Sequence, residues 1–267
     1  MPTVNLAQKF SPKVDELFHR AAFKQLVTNQ DYDWDGVDTI KVYGVDTVSL
    51  SDYSRSGSNR YGSPSELTNT VQTLQLTQDK AWTFTIDKLN RAQSMMVMDA
   101  GKAVARQTRL VNIPYVDAYT FRKMAVAAQT AGNKDTTTAT KSNAYSLLLQ
   151  AQENMDDANV PEEGRVYLVS PTFAGLLKQD TAFVRDCDIG QNMLIKGMIG
   201  TIDGARIVKV PSSRLPADGS GNKCSFIGAH PLATVAPQVL NEYKIHTDAP
   251  GVSGWLVEGR HTCPLAA

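Results

Sequence analysis

Two stretches between Val37 and Ile86 alternate apolar and polar side chains, and they predict the two arms of a long β-ribbon. The first, Val37 to Leu50, sets Val37, Thr39, Ile40, Val42, Val45, Thr47, Val48 and Leu50 among polar residues. The second, Asn69 to Ile86, closes on Trp82, Thr83, Phe84, Thr85 and Ile86, the period of two of a half-buried strand. Between them, Ser51 to Thr68 carries six serines, Gly57, Gly62 and Pro64, with Asp52, Arg55, Arg60 and Glu66 as its charges. That is loop chemistry, and it is too long for a tight turn. A first arm of this length would reach about 46 Å at roughly 3.3 Å per residue, farther than the radius of a compact domain of this size. A lone two-stranded hairpin is marginal in water, so its apolar positions and open edges need a second surface. That surface is either a neighbouring subunit or, in the plainer alternative, the body of the same domain.

Helical periods dominate the rest. Ser11 and Pro12 open a predicted helix with Val14, Leu17, Phe18, Ala21, Ala22 and Leu26 on one face. An acidic loop, Asp31, Asp33 and Asp35, leads into the ribbon. Behind the ribbon, Asp87 caps one uninterrupted helix from Lys88 to about Val111, near 36 Å long at about 1.5 Å per residue. Its apolar stripe is Leu89, Ala92, Met96, Ala100 and Ala103; its charged face is Asp99, Lys102, Arg106 and Arg109. Pro114 is expected to end it, with a second helix over Tyr115 to Ala131. Gly132 to Thr140 reads as a surface loop and Ser142 to Asn159 as a clean amphipathic helix. Arg165 to Ser170 is apolar at consecutive positions, the pattern of a central strand, after which Ser170 caps and Pro171 opens a helix to about Lys178. Asp203-Gly204 between Ile199 to Ile202 and Ala205 to Val210 predicts a two-residue hairpin. A strand over Cys224 to Ile227, an ambiguous apolar stretch over Ala229 to Asn241 and a last strand at Trp255 to Val257 follow. Strands and helices mix without βαβ regularity, so the fold class is α+β.

The 267 residues, 42% hydrophobic and 20% charged, suffice for a substantial core in one large or two smaller domains. Lys plus Arg equals Asp plus Glu at 27 each, which leaves no net field to hold a polyanion and disfavours a dedicated nucleic-acid binder. The one sorted basic stripe is Lys102, Arg106 and Arg109, either a solvated helix face or a surface turned to packaged nucleic acid or an acidic partner. Cys187, Cys224 and Cys263 are odd in number and form no CxxC pair, which argues for a reducing cytosol and against a disulfide framework. No apolar leader and no membrane-length apolar run occurs in the sequence.

Chemistry is sparse. Gly219, Ser220, Gly221, Asn222 and Lys223 lack phosphate-loop spacing and a following helix, and Gly197 with Gly200 does not complete GxGxxG. His19, His230, His246 and His261 are far apart, with no zinc-ligand spacing, and read as surface or interface residues. GxSxG is absent. The pairs Asp156/Asp157 and Glu162/Glu163 are adjacent in sequence and so do not face one another. No enzyme, catalytic residue, cofactor or metal site is expected.

The order of parts carries a likeness. Arm, helix, ribbon, long helix, α+β body and returning strand, with Ala81-Trp-Thr-Phe-Thr-Ile-Asp before the helix at Lys88, Pro161-Glu-Glu-Gly-Arg-Val-Tyr-Leu-Val-Ser-Pro, and Ile199-Gly-Thr-Ile-Asp-Gly-Ala-Arg-Ile-Val-Lys-Val-Pro ahead of Leu215-Pro216, resembles the major capsid proteins of tailed bacteriophages, the HK97-like fold. The resemblance implies an N-terminal arm and helix over 1–30, an E-loop ribbon over 31–86, a spine helix and peripheral domain over 87–131, an axial domain over 132–241 and a C-terminal strand returning to the peripheral domain over 242–267. It implies a shell subunit that associates with itself as hexamers and pentamers around dsDNA, with portal and separate scaffolding proteins as partners, a decoration protein as a further candidate, and no membrane. Its location would be the virion capsid, assembled in a host bacterial cytoplasm. The expected subunit interface includes Asp52, Arg55, Arg60, Glu66, Trp82 and Phe84, with Lys102, Arg106 and Arg109 as candidates for the interior face. Some relatives crosslink through an E-loop lysine; this tip has none, so no such crosslink is expected. An encapsulin-like bacterial compartment and a metabolic α+β enzyme are the competing readings.

Overall fold

The computed structural model describes residues 22–29, 39–93, 99–180, 183, 198–217, 223–236, 240–247 and 249–264. Most of the helix expected from Ser11, the acids Asp31, Asp33 and Asp35, and the glycines Gly219 and Gly221 lie outside them.

The apolar run after Arg165 is β3, Val166–Val169, and it is central as its pattern predicts. It lies parallel to β5 (Ala205–Lys209) and antiparallel to β6 (Phe226–Ala229), while β4 (Met198–Ile202) closes the sheet order β4-β5-β3-β6. Because side chains alternate across a strand, Tyr167 and Val169 pack with Leu148, Phe173, Leu177 and Ile207 on one face. Val166 and Leu168 pack with Phe23, Val27, Phe121, Met124 and Val208 on the other. Helices α4 (Ala144–Asp157) and α5 (Pro171–Gln179) cover the first face.

Local signals explain these placements. Ser170 stands extended and its hydroxyl accepts the Phe173 N–H at 3.2 Å, with Pro171 in the first turn of α5. Asp203 at φ 45° and Gly204 at φ 78° are both left-handed, as a two-residue hairpin joining β4 to β5 demands. Arg165 is buried and ties the end of α4 to the start of β3, donating to Asp156 at 2.6 Å, to the Pro161 carbonyl at 3.0 Å and to the Val160 carbonyl. His230, expected at the surface or an interface, is buried within the chain. Its Nδ1 accepts the Leu232 N–H at 3.2 Å, so Nε2 carries the proton and donates to the Glu163 carbonyl at 3.0 Å.

The long helix departs from expectation twice. Asp87 does cap α1, Lys88–Gln93, accepting the N–H groups of Leu89 and Asn90. The chain is not helical without a break to Val111, however, because Asp99 is extended at φ −86°, ψ 135° and caps a new helix, α2 (Ala100–Gln107), by accepting from Gly101 and Lys102. Asp99 is thus a cap and not part of a charged face, and Leu89, expected in the apolar stripe, is exposed. Pro114 does not end the segment. A π turn, Thr108–Asn112, carries α2 into α3, Ile113–Thr130, with Pro114 in its first turn. There the Ile113 N–H reaches five residues back to the Thr108 carbonyl, and the wider turn admits a residue that lacks an N–H and whose ring needs room beside the preceding turn. Ala100 to Thr130 therefore runs about 45 Å at roughly 1.5 Å per residue.

The second sheet has the order β1-β2-β8-β7. β1 is Thr39–Val45, half the arm that the pattern predicts, because pairing with β2 (Asn69–Asp87) stops soon after Val45. The Asp46 N–H still reaches the Thr68 carbonyl at 3.1 Å, but continuing the register would set Leu50 opposite Pro64, which has no N–H to give. The later half of β2 pairs with β8, Gly254–Pro264, which pairs in turn with β7, Leu240–His246. The last strand expected at Trp255 to Val257 is thus the longer β8, β7 is a further strand that was not expected, and the strand expected at Cys224 lies two residues later as β6.

Tyr167 offers a pH test of this packing. Its hydroxyl donates to Gln152 at 2.7 Å, and burial pushes its pKa up to about 12. A group that the fold keeps neutral contributes fully below its unfolded pKa of about 10, and that contribution is lost as pH rises toward 12. Denaturant titrations across that window are expected to show stability falling in the wild type and a shallower fall in Tyr167→Phe. At neutral pH the variant is expected to lose about 1–3 kcal/mol, the cost of an unpaired Gln152 amide.

Candidate subunit-contact surface

The ribbon has a rigid root. Trp82, Phe84 and Ile86 lie on one face of β2, paired with Gly259, Val257 and Trp255 of β8. The indole of Trp82 lies over Gly259, where an added Cβ would sit 2.4 Å from the ring, and stacks on Phe84 at 5.5 Å between centroids. Tyr243 of β7, the other partner of Gly259, approaches Trp82 at 6.0 Å. Two aromatic rings thus meet across a glycine that no other residue could replace without displacing them. The Tyr243 hydroxyl lies 3.2 Å from Thr108 at the π turn, and Tyr115 of α3 bonds to Gln78 of β2 at 2.8 Å, which fixes the ribbon root to the long helix. On the opposite face of the sheet Arg260 grips Asp79 with paired bonds at 2.9 and 2.5 Å, which holds that carboxyl below the usual range.

Toward the tip the described apolar residues of the ribbon are bare. Val45, Val48, Leu50, Tyr53, Tyr61, Leu67 and Val71 are all exposed, Leu50 fully and Tyr61 at 86%. Its tip is nonetheless built. Ser54 N–H bonds to the Arg60 carbonyl at 2.9 Å, the Ser51 hydroxyl to the Tyr61 carbonyl at 3.0 Å and Arg60 Nε to the Gly57 carbonyl at 3.2 Å, while the Tyr53 and Tyr61 rings meet edge to face at 5.0 Å. Asp52, Arg55, Arg60 and Glu66 are exposed on this tip, whereas Trp82 and Phe84 are half-buried in the root. The six expected interface residues therefore fall into two groups at different ends of the ribbon, four on the tip and two engaged by their own sheet.

Lys102, Arg106 and Arg109 are exposed on the first part of the long helix, and the spacings of four and three keep them on one side of it. Lys102 and Arg109 form no ion pair among the described residues.

Sequence reasoning missed the most constrained polar centre. Asp117 of α3 is wholly buried and accepts the N–H of Phe23 at 3.1 Å, the N–H of Lys24 at 3.0 Å and Arg214 Nη1 at 2.7 Å. The Arg214 guanidinium also lies 5.2 Å over the Phe23 ring. Burial pushes the Asp117 carboxyl up, against the pull of these donors. The only available signal was one acid among the apolar positions of a helical run, and nothing in the sequence indicates its partners more than ninety residues away. Among the described residues no three His, Cys, Asp or Glu side chains converge as metal ligands.

The Gly259 site gives a direct test of the ribbon root. Gly259→Val is expected to cost about 1–3 kcal/mol by overpacking and to shift the tryptophan emission as Trp82 leaves its seat. An unchanged spectrum and midpoint would remove the aromatic clamp from this account.

No family model matches the sequence, and no curated protein does. Solved structures do match in shape. A capsid structure of the cyanophage P-SCSP1u is similar with a TM-score of 0.68 and 16% identity, over 97% of this chain and 89% of that one. The mature capsid of bacteriophage PhiM1 matches with a TM-score of 0.67 and 13% identity over 97% and 88%. A structure from Mycobacterium phage Che8 matches with a TM-score of 0.66 and 19% identity over 97% and 94%. This chain therefore has the α+β, HK97-like fold of those phage capsid structures, as the order of its parts implied.

Proposed function

We propose that this chain is the major capsid protein of a tailed bacteriophage, a non-enzymatic subunit that assembles with copies of itself into the shell around dsDNA. The observation that carries this reading is the ribbon, with its built tip and its run of exposed apolar residues, on a chain whose fold matches phage capsid structures over nearly its full length. A monomer leaves those side chains in water, while a closed shell gives each ribbon a neighbour. In this reading 1–30 is the N-terminal arm and helix, 31–86 the E-loop, 87–131 the spine helix with part of the peripheral domain, 132–241 the axial domain and 242–267 the strands that complete the peripheral sheet. Asp52, Arg55, Arg60 and Glu66 would meet a neighbouring subunit directly, and Trp82 and Phe84 would hold the ribbon at the angle that contact needs. Subunits meet as hexamers and pentamers, and portal, scaffolding and decoration proteins are the partners such a shell would use. Assembly takes place in the host bacterial cytoplasm.

Deleting Ser51 to Thr68 is expected to leave the axial sheet folded, by circular dichroism and by its thermal unfolding midpoint, while abolishing particles in electron micrographs. Normal particle yield would remove the ribbon from the assembly mechanism. A stable monomer from the unaltered chain, under all assembly conditions, would overturn the shell reading itself.

Lys102, Arg106 and Arg109 are proposed to face the interior, where a modest basic stripe on an otherwise balanced chain loosely neutralises phosphate. Replacing all three with Gln is expected to preserve particle yield and to lower the fraction of DNA-filled particles, read by absorbance ratio and sedimentation. Loss of assembly in that variant would instead assign the stripe to a contact between subunits.

A further inference from the structure

The long helix meets its two sheets by different chemistry. Phe121 and Met124 pack on Val166, Leu168 and Val208 of the axial sheet, an apolar seam. Against the ribbon root the contacts are polar: Thr108 bonds to Tyr243 of β7 at 3.2 Å and Tyr115 to Gln78 of β2 at 2.8 Å. By alternation along the strands, Gln78, Lys80 and Trp82 of β2 share one face of that sheet with Gly259 and His261 of β8 and with Tyr243 of β7. Because β8 lies between β2 and β7, the helix crosses above β8 as it passes from Tyr243 to Gln78.

Asn112 is four residues after Thr108 and three before Tyr115, on the same side of the helix and between the two contacts. It therefore stands above β8. Tyrosine side chains bridge the separation at both contacts, and an asparagine is shorter. Beneath it Gly259 has no side chain, and the Trp82 indole is laid across that glycine. Trp82 Nε1 and Asn112 Nδ2 are both buried without a hydrogen-bond partner. The other such atom among the described residues, Thr262 Oγ1, is on the opposite face of β8. Two unpaired donors on facing elements are costly unless an acceptor is shared between them. The carboxylates of this sheet do not supply it, since Asp79, Glu242 and Glu258 are on the opposite face, engaged by Arg260, Lys244 and His246. Thr108 gives its proton to Tyr243, so its oxygen keeps lone pairs to accept with. Two donors and one acceptor are the partner set of a buried water.

We propose that one ordered water sits over Gly259 between the long helix and the ribbon root, accepting from Trp82 Nε1 and Asn112 Nδ2 and donating to Thr108 Oγ1. Trp82 is then tethered through solvent to the π turn as well as stacked on its own sheet. A small anion is the competing occupant. It would find little charge to hold it, because burial and Lys24 keep the neighbouring His261 ring below its usual range and hence neutral, and Lys80 on the same face is exposed.

Heteronuclear NMR on the unassembled full chain reads the site directly. Nuclear Overhauser cross-peaks with the sign of a long-lived water are expected at both the Trp82 indole proton and the Asn112 side-chain amide, and neither resonance is expected to shift when chloride or inorganic phosphate is added. Cross-peaks at neither group, or at one alone, would overturn the bridge, and saturable shifts of both with either salt would assign the gap to an anion instead. A double-mutant cycle of Trp82→Phe and Asn112→Ala in denaturant supplies the energetic arm. Losses that pass through one shared water overlap, so the product of the two single-variant increases in unfolding constant is expected to exceed the double-variant increase by about threefold or more. Purely multiplicative effects would count against the water. If either variant fails to fold, the NMR result on the unaltered chain decides alone, and both measurements stand whether or not the chain forms a shell.

Discussion

Both faces of β3 must be covered, and the rest of the molecule is arranged around that demand. A four-residue strand with every side chain buried, flanked on each edge by another strand, cannot leave either face in water. Helices α4 and α5 close one face, and among the described residues the second half of the long helix and residues 22–29 are drawn in to cover the other. Phe121 and Met124 serve that face from α3, while Thr108 and Tyr115 bond to the ribbon sheet. One helix thus belongs to two sheets. The π turn lies at the changeover, where the backbone must alter its twist and admit Pro114 without breaking.

With the second half of the long helix packed on the sheet around β3, the exposed apolar residues from Val45 to Val71 have no cover within the described chain. Trp82, Gly259 and Tyr243 make the root stiff, and stiffness is what allows a two-stranded arm to hold its side chains away from the body. Apolar burial is non-directional and scales with area, so exposed residues from Val45 to Val71 gain from whatever surface covers them. The tip adds direction to that gain. Tyr and Arg, which dominate at contact centres, stand here on a loop pre-set by its own hydrogen bonds, so that under the proposed function little ordering entropy would be lost on contact.

What the sequence revealed followed from local rules. The Ser170-Pro171 cap, the Asp203-Gly204 turn, the β3 run and the alternation ending at Ile86 each depend on neighbours within a few residues, and each appears where the pattern set it. The departures occur where a distant partner decides. Pro114 reads as a stop because a proline clashes in a regular α-helix, and only the π turn before it removes the clash. Asp99 reads as one more charge on a helical face, and only its extended backbone makes it a cap. His230 reads as surface because polar residues usually are, until Glu163 and Leu232 satisfy both ring nitrogens. The alternation of Tyr243 and Ile245 with Glu242, Lys244 and His246 was visible but was obscured by the apolar stretch before it. The exposed charges of the tip were legible from composition, whereas the buried Asp117–Arg214 pair was not, since an ion pair joining segments 97 residues apart leaves no local trace.

That buried pair has a different kind of purpose from the apolar contacts around it. Taking two charges out of water costs nearly what their attraction returns, so a buried ion pair adds little net stability compared with apolar residues of the same volume. It adds selectivity, because Phe23, Val27, Phe121 and Leu168 would tolerate a shifted fit, whereas a buried carboxylate with three matched donors accepts one alignment and penalises the rest by leaving a donor unpaired. In a molecule that ties three distant segments together at one point, alignment is the scarcer quantity. The ribbon tip presents a fixed pair of rings and two guanidinium groups, so that under the proposed function a neighbouring subunit would have one way to fit.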